Sequence, residues 1–329
     1  MRSMRSLSSF RLFSPFRMAS ALGAVLFCLT GQALADTWRE GIPMTTARAN
    51  AGAAMLGDDL YVIGGGSTSG PRSLTEVYDT IGNIWRADVA LPVGLEQFGI
   101  AATGGKIYVA GGYATGGTRD EPTVEETNGA WIFDLAGGWR SAAPMPEARI
   151  GLGLAAVGGK LYAIGGRGVE AGRVFVYDPA ADAWTVAREN LPAPRSHAAV
   201  VARGSDIYVI GGMENGAPTA RVDIFDTTRG TWRIGPSLPV AREGHVAAVL
   251  DGNIHVTGGE SLYPPKTFAD HFVLEGDGWH RAASLPTPRH GAVAASAHGK
   301  LFVIGGSPGA GVYTVFTQSD VVDIYTTGK

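Results

Sequence analysis

Residues 206–212 read Asp-Ile-Tyr-Val-Ile-Gly-Gly, a short β-branched and aromatic run that ends in a glycine doublet. Such a run predicts a buried strand followed by a tight turn. The pattern occurs six times, with doublets that begin at residues 64, 111, 165, 211, 258 and 305. Their spacings of 47, 54, 46, 47 and 47 residues indicate a chain built from repeats of one structural unit.

Each repeat continues into an aromatic strand that ends near an acid, as in Val77-Tyr78-Asp79, and a tryptophan follows five or six residues later. Trp38 precedes the first repeat, whereas the last repeat, which ends at Tyr325, has no tryptophan after it. Each end of the chain supplies what the other lacks. We therefore expect the strand around Trp38 to complete the last repeat.

In combining glycine doublets, Tyr-Asp strands and trailing tryptophans at a period of about 50 residues, the sequence resembles the Kelch repeat family. The resemblance covers residues 36 to 329 and implies an all-β fold, a six-bladed Kelch β-propeller with four antiparallel strands per blade. The last blade is expected to be closed by the N-terminal strand. Closure removes the two exposed ends that an open stack of blades would leave.

Residues 1–35 have the composition of an export signal. Four arginines stand there without an acid, an apolar run extends from Met18 to Thr30, and Ala33-Leu34-Ala35 precedes Asp36 as a small-residue cleavage pattern. The run is shorter than the span of about 20 residues that crosses a membrane. We expect a cleaved signal peptide over 1–35, and a periplasmic or secreted, soluble domain over 36–329.

Composition excludes several classes of partner and site. Cys28, the sole cysteine, lies in the leader, so the mature chain has no disulfide, thiolate nucleophile or cysteine metal ligand. Without the four leader arginines, 23 basic residues stand against 30 acidic ones, a net charge of −7 that disfavours nucleic acid and anionic membranes as partners. No histidine pair has a recognised ligand spacing, so we expect no metal and no cofactor.

An arginine stands sixteen residues before five of the six doublets. These residues are Arg48, Arg149, Arg195, Arg242 and Arg289. In a propeller this position enters the innermost strand at one mouth of the channel, which predicts a ring of guanidinium groups that requires negative partners. The partners are either nearby carboxylates, such as Glu214, Glu243 and Glu260, or an acidic ligand. Resemblance supports the ligand, because Kelch propellers that bind acidic peptides use arginines at this repeat position.

The residue after each doublet is expected to face the same mouth. Tyr113 and Arg167 are candidate ligand contacts, and Glu260 is a candidate acid or base. His197, His245 and His290 follow ring arginines within three residues and are expected to line the channel. Residues 114–127, which include Asp120 and Glu121, form a long loop. We expect it to be a rim or lid of the channel mouth, and the alternative is a solvated acidic loop.

Two functions follow from these features. The first is a non-catalytic exported module that binds an acidic small molecule or acidic protein segment at an arginine-lined channel mouth. The alternative is a carbohydrate mutarotase or epimerase, because the chain more distantly resembles the exported sialic acid mutarotase (N-acetylneuraminate epimerase) type.

That mutarotase type pairs a glutamate after a glycine with an arginine six residues later. Here Glu260 has Lys266 at that distance, and Arg221 is one residue too far from Glu214. Mutarotation requires one group to accept the proton of the anomeric hydroxyl and another to protonate the ring oxygen. Candidates for these roles are Glu260, Glu214 and His245.

Overall fold

The computed structural model describes residues 36–117 and 122–328. The predicted signal peptide, Asp120 and Glu121 lie outside the described residues. Within these two ranges the chain forms thirty short strands and a single helical segment, the 3₁₀ helix Gly311–Phe316. A helix of the length and apolarity that would cross a membrane is not found there. The prediction of an all-β chain is confirmed.

The principal strands form antiparallel sheets of four, as predicted, which we number along the chain and write from the first strand to the fourth. Sheet 1 consists of Gly52–Leu56, Asp59–Ile63, Thr75–Asp79 and Ile84–Asp88. Sheet 2 consists of Gly99–Thr103, Lys106–Ala110, Ala130–Asp134 and Gly138–Ala142. Sheet 3 consists of Ile150–Val157, Lys160–Arg167, Phe175–Asp178 and Ala183–Val186. Sheet 4 consists of Ala199–Arg203, Asp206–Ile210, Val222–Asp226 and Thr231–Ile234. Sheet 5 consists of Glu243–Leu250, Asn253–Leu262, His271–Glu275 and Gly278–Ala282. Sheet 6 consists of Val293–Ala297, Lys300–Ile304, Val322–Thr326 and Thr37–Glu40.

Shorter strands lie in the loops that connect the principal strands. Leu95–Glu96, Tyr113–Gly117 and Pro122–Glu126 form a three-stranded sheet, Met213–Glu214 pairs with Ala217–Pro218, and Pro265–Thr267 adds to sheet 5. The acidic loop after the second doublet is therefore a hairpin in its described part.

The first strands of successive sheets contact one another, and the first strand of sheet 6 contacts that of sheet 1. Just before these strands, or within them, six residues have left-handed backbone angles with φ between 52° and 62°. They are Asn50, Gln97, Gly151, His197, Gly244 and Gly291. The N–H of each donates to the carbonyl of its equivalent in the preceding sheet at 2.7–3.0 Å, and Asn50 donates to Gly291. We call these six hydrogen bonds the central cycle, because the series returns to its starting residue.

Apolar side chains pack between neighbouring sheets. The cluster between sheets 6 and 1 contains Phe302, Ile304, Leu60 and Val62, all about fully buried, and comparable clusters lie at the other boundaries. Burial of this apolar area is the main stabilising contribution, since the chain has no cross-links after Cys28.

The repeat tryptophans join each sheet to its neighbour. The indole Nε1 donates at 2.7–3.0 Å to the carbonyl of the residue four positions after the preceding repeat's tryptophan. The pairs are Trp38 with Ala283, Trp85 with Ile42, Trp139 with Val89, Trp184 with Ala143 and Trp279 with Pro236.

Trp232 is the exception among the described residues, because its buried Nε1 has no hydrogen-bond partner. The equivalent acceptor is the carbonyl of Arg188. Eleven residues separate Trp184 from Arg195, whereas ten separate the other tryptophans from the equivalent position. This connection is thus one residue longer than its equivalents.

The N-terminal strand is held by Trp38. It lies opposite Tyr325 in the register, and its ring centroid is 5.2 Å from that of Tyr325 and 5.5 Å from that of His271. Replacing Trp38 by alanine is expected to lower the free energy of unfolding by about 3 kcal/mol, because a packed indole and its hydrogen bond are lost. Urea denaturation of the purified protein measures the change.

The matched control is Arg39→Ala on the exposed face of the same strand, which is expected to cost less than about 0.5 kcal/mol. Equal stability of Trp38→Ala and the wild type would contradict this role of the strand.

Candidate functional site

A cavity of about 670 Å³ lies at the end of the sheets that carries the central cycle. Residues from all six sheets or the loops between them line it, among them Asn50, Gln97, Arg167, His197 and His290. The volume is within the range of small-molecule sites.

Cross-strand pairs repeat around the central cycle, and some of their members line the cavity. In each pair, the residue after the arginine position lies opposite the residue after the glycine doublet. The pairs are Ala49–Gly66, Glu96–Tyr113, Ile150–Arg167, Ser196–Met213, Glu243–Glu260 and His290–Ser307. The glycine doublet makes this approach possible: Gly65 has a φ of 101°, and a Cβ there would lie 3.0 Å from the carbonyl oxygen of Ala49.

The five predicted ring arginines do not line the mouth as free cations, and this expectation is corrected. All five are buried, and each forms an ion pair with an internal carboxylate. The pairs are Arg48–Glu76, Arg149–Glu147, Arg195–Asp223, Arg242–Asp270 and Arg289–Asp323. A buried guanidinium requires a paired charge and hydrogen bonds, and these residues have both.

Arg195 illustrates the arrangement. It contributes to the cavity wall, yet its guanidinium bonds Asp223 at 2.7 Å and donates to the carbonyls of Gly211, Ala193 and Val209 at 2.8–2.9 Å. The periodic arginines are therefore structural, and their partners are carboxylates other than Glu214, Glu243 and Glu260.

Glu260 is held by the loop that carries the 3₁₀ helix. Its Oε1 lies 2.9 Å from Nδ1 of His290, and its Oε2 accepts the Gly311 N–H at 2.6 Å. On the other side of the imidazole, Nε2 lies 2.9 Å from the Gly309 carbonyl oxygen and 2.9 Å from Oγ1 of Thr314. A carbonyl only accepts hydrogen bonds, so Nε2 carries a proton.

Glu260 is therefore contacted on both carboxyl oxygens, by the His290 imidazole at Oε1 and by the Gly311 N–H at Oε2. In its carboxylate form a glutamate in this position can accept a proton from a bound molecule.

Glu243 lies opposite Glu260 in the strand register. Burial and, to a lesser extent, the neighbouring Glu260 raise the pKa of its carboxyl group to about 7, and His290 opposes the shift. At neutral pH a substantial fraction of Glu243 is therefore protonated. A carboxyl group with a raised pKa beside a second carboxyl group is a common arrangement for acid–base catalysis.

Comparison with known proteins agrees with the repeat pattern. A family model for the KLHDC2/KLHL20/DRC7 Kelch-repeats domain matches residues 151–326, and a Kelch motif model matches residues 47–87. The chain belongs to the Kelch-repeat family.

Two curated Kelch proteins are similar over part of their length. The Kelch-like protein terF of Aspergillus terreus is 32% identical over 127 residues, which is 33% of this chain and 27% of that protein. Mouse Kelch-like protein 35 is 31% identical over 116 residues, which is 34% of this chain and 19% of that protein. The matched segments thus span about a quarter or less of these relatives.

Among solved structures, the structure of YjhT superposes with a TM-score of 0.73 at 19% sequence identity. It covers 86% of this Kelch chain and 95% of that chain. The likeness extends over nearly the whole of both chains and shows a common fold.

At the floor of the Kelch cavity, His197 lies on the central cycle. Its Nε2 is 3.0 Å from Oε1 of Gln97, and its Nδ1 is 3.1 Å from Oγ of Ser196 and 3.7 Å from Oε2 of Glu243. Burial lowers the pKa of this imidazole, Glu260 raises it, and Arg167 and His290 lower it. His197 therefore lies within electrostatic reach of both the acidic pair and Arg167.

Arg167 and Tyr113 lie at the rim. The Arg167 side chain is 64% exposed, and its Nη2 donates to the Tyr113 hydroxyl at 2.7 Å and to Oε1 of Glu126 at 3.1 Å. Arg167 lines the cavity and is the predicted ligand-binding arginine that stays accessible from it.

Two of the three candidate catalytic residues are not brought to the cavity wall. Glu214 lies in the hairpin strand Met213–Glu214, beside the structural Arg195 and Arg221. His245 is buried against Gly211, and burial lowers the pKa of its imidazole to about 3. The left-handed backbone of Gly244 redirects the strand, so that Glu243 faces the cavity while His245 enters the interior.

The sequence interpretation overlooked Glu96, Gln97 and Asn50, which also line the cavity. Their signal is their place in the repeat, one or two residues after the arginine position. In the part of the chain that the structure describes, no group of histidine and acidic side chains has the geometry of a metal site.

Proposed function

We propose that this Kelch protein is exported, forms a closed six-bladed propeller, and binds an acidic sugar in the cavity, where Glu243 and Glu260 catalyse exchange between its anomers. The observation that carries the proposal is the pair of facing carboxyl groups, one with its pKa raised to about 7 and the other bonded to His290 and Gly311.

Several contacts support a ring closed at its ends. The six sheets of four strands, the cyclic contacts between their first strands and the central cycle all fit six blades. Thr37–Glu40 pairs with Val322–Thr326, as a closing strand would. The arginine-rich, apolar leader before Asp36 supports export to the periplasm or medium.

The proposed reaction needs only proton transfers. Glu260 accepts the proton of the anomeric hydroxyl while protonated Glu243 donates to the ring oxygen, so the ring carbon–oxygen bond breaks and an open-chain carbonyl forms. After rotation about the adjacent bond, the two transfers reverse and the ring closes on the other face of the carbonyl. Both carboxyl groups thereby regain their initial states.

An acidic sugar fits the charges of the cavity. Burial raises the pKa values of Glu96 and Glu243, and the value of about 7 for Glu243 reduces the negative charge of that side chain near neutral pH. Arg167 presents a planar guanidinium that binds a carboxylate in two-point geometry. The resemblance to the mutarotase type makes N-acetylneuraminate the first sugar to test.

Purified mature protein is expected to accelerate the anomeric equilibration of N-acetylneuraminate, followed by proton NMR. Arg167→Ala is expected to raise KM about tenfold or more, because a charged hydrogen-bond pair to the substrate is lost. Arg229→Ala, whose side chain is exposed on a turn of sheet 4, is the control and should match the wild type. No acceleration over buffer by the wild type would contradict the catalytic proposal.

A second candidate function is binding of an acidic protein segment or small molecule without catalysis. The exposed position of Arg167 at the rim favours it, since a segment too large for the cavity can reach this guanidinium. If a ligand binds in a way that depends on Arg167 but no anomer exchange occurs, binding without catalysis is the function that remains.

A further inference from the structure

Four large apolar side chains stand exposed beside the cavity, on two neighbouring loops. Tyr263 is 85% exposed, Val312 80%, Phe316 75% and Tyr313 61%. A cluster of exposed aromatic and aliphatic groups on one part of a surface is typical of a binding site. We call Tyr263, Val312, Tyr313 and Phe316 the aromatic platform.

The two loops form one unit. The hydroxyl of Thr267 donates to the Pro308 carbonyl at 3.0 Å, and the Gly311 N–H donates to Glu260 at 2.6 Å. A Cβ on Gly311 would lie 3.5 Å from Leu262, so the loops also pack closely. The two loops that carry the aromatic platform are therefore held close to the proposed base.

The aromatic platform is also continuous with the cavity. Leu262, Thr314 and Val315, from the same two loops, line the cavity wall. Thr314 is the buried residue of the 3₁₀ helix and contacts His290, which turns the inner side of that helix toward the site. Val312, Tyr313 and Phe316 remain on its outer side. A molecule that extends out of the cavity past Val315 meets the aromatic rings next.

We propose that Tyr263, Tyr313 and Phe316 form a stacking subsite for the second and later sugar units of an extended acidic saccharide, whose reducing unit occupies the cavity. Aromatic side chains have few rotatable bonds and offer apolar contact area at little entropic cost, and the C–H faces of a pyranose ring are apolar surfaces of matching size. The inference rests on the proposed function, and it specifies the substrate class as a linear oligosaccharide with a free reducing end.

Isothermal titration calorimetry tests the subsite by comparing N-acetylneuraminate with its linear trisaccharide. The wild type is expected to bind the trisaccharide about tenfold more tightly than the monosaccharide. The double variant Tyr263→Ala/Phe316→Ala is expected to reduce this ratio to near one. The control Ile81→Ala/Ile234→Ala, which removes two similarly exposed apolar side chains elsewhere, should keep the wild-type ratio.

Equal affinity for the two saccharides in the wild type, no binding of either, or an unchanged ratio in the double variant would overturn the subsite. The subsite would also be overturned if the aromatic platform instead contacts a second copy of the chain or a lipid surface. The wild type would then self-associate in sedimentation or bind phosphatidylcholine vesicles, the double variant would not, and neither protein would prefer the longer saccharide. The reaction is judged separately, by anomer exchange of the monosaccharide, so either proposal fails without the other.

Discussion

Glu260→Gln is expected to slow anomer exchange of N-acetylneuraminate by about 10²–10⁴-fold, the usual contribution of a positioned general base. Glutamine keeps the shape of the side chain and an oxygen that accepts the Gly311 N–H, but it cannot take up the proton of the anomeric hydroxyl. Proton NMR measures the rate. The exposed Glu275→Gln, at the end of a strand in sheet 5, is the control.

The pH dependence of the rate distinguishes the roles of the two carboxyl groups. Glu243 donates only when protonated, and its pKa is about 7. The wild-type rate should therefore fall as the pH rises through 7, by about tenfold per pH unit once most of the acid is ionised. Glu243→Gln should be slow at every pH and lack this decline. An identical pH profile in Glu243→Gln and the wild type would contradict the assignment.

Arg289→Ala is expected to destabilise the protein by about 3–5 kcal/mol, because it leaves the carboxylate of Asp323 buried without its partner. The two side chains are each 1% exposed and 2.6 Å apart, and Arg289 also donates to the Val303 carbonyl at 3.0 Å. The free energy of unfolding in urea measures the loss.

Two comparisons isolate the buried charge as the cause. The double variant Arg289→Met/Asp323→Leu is expected to recover most of the stability, since it removes both charges and keeps apolar volume. Arg233→Ala breaks a half-exposed pair with Asp206 and should cost less than about 1 kcal/mol. Similar losses for Arg289→Ala and Arg233→Ala would refute this explanation.

The repeat was predictable because each unit needs glycine at the same two places. Gly64 and Gly65 have φ angles of 63° and 101°, which other residues adopt only at a cost, so the doublets mark the strand ends in the sequence itself. The tryptophans mark the sheet boundaries in the same way. Strand pairing, four-stranded sheets and family membership followed from these two signals.

The direction of the arginine side chains was not predictable from their spacing alone. Spacing places Arg48 or Arg195 at a strand entry, but it does not say whether the guanidinium turns to the mouth or to the interior. A signal was nevertheless present: an acid stands 28 residues after Arg48, Arg195 and Arg242. Reading that second periodicity together with the first predicts the internal ion pairs.

For the site, the sequence interpretation named Glu260 as a candidate catalytic residue but did not predict which residues lie beside it. Glu243 appeared only as a partner for arginine, because the cross-strand contact with Glu260 depends on the register after the glycine doublet. Glu214 and His245 were selected for residue type and repeat position. The backbone of Gly244 and the short hairpin at Met213–Glu214, which direct them elsewhere, leave no distinct pattern in the sequence.

The unbonded indole of Trp232 makes the boundary between sheets 3 and 4 unlike the others. A buried N–H without an acceptor costs about 1–3 kcal/mol, a cost that the five other repeat tryptophans avoid. We therefore expect the transient separation of neighbouring sheets to cost less at this boundary than it would with the indole hydrogen bond in place. Faster amide hydrogen exchange there than at the equivalent boundaries would show that one additional residue between Trp184 and Arg195 weakens an otherwise repetitive architecture at one place.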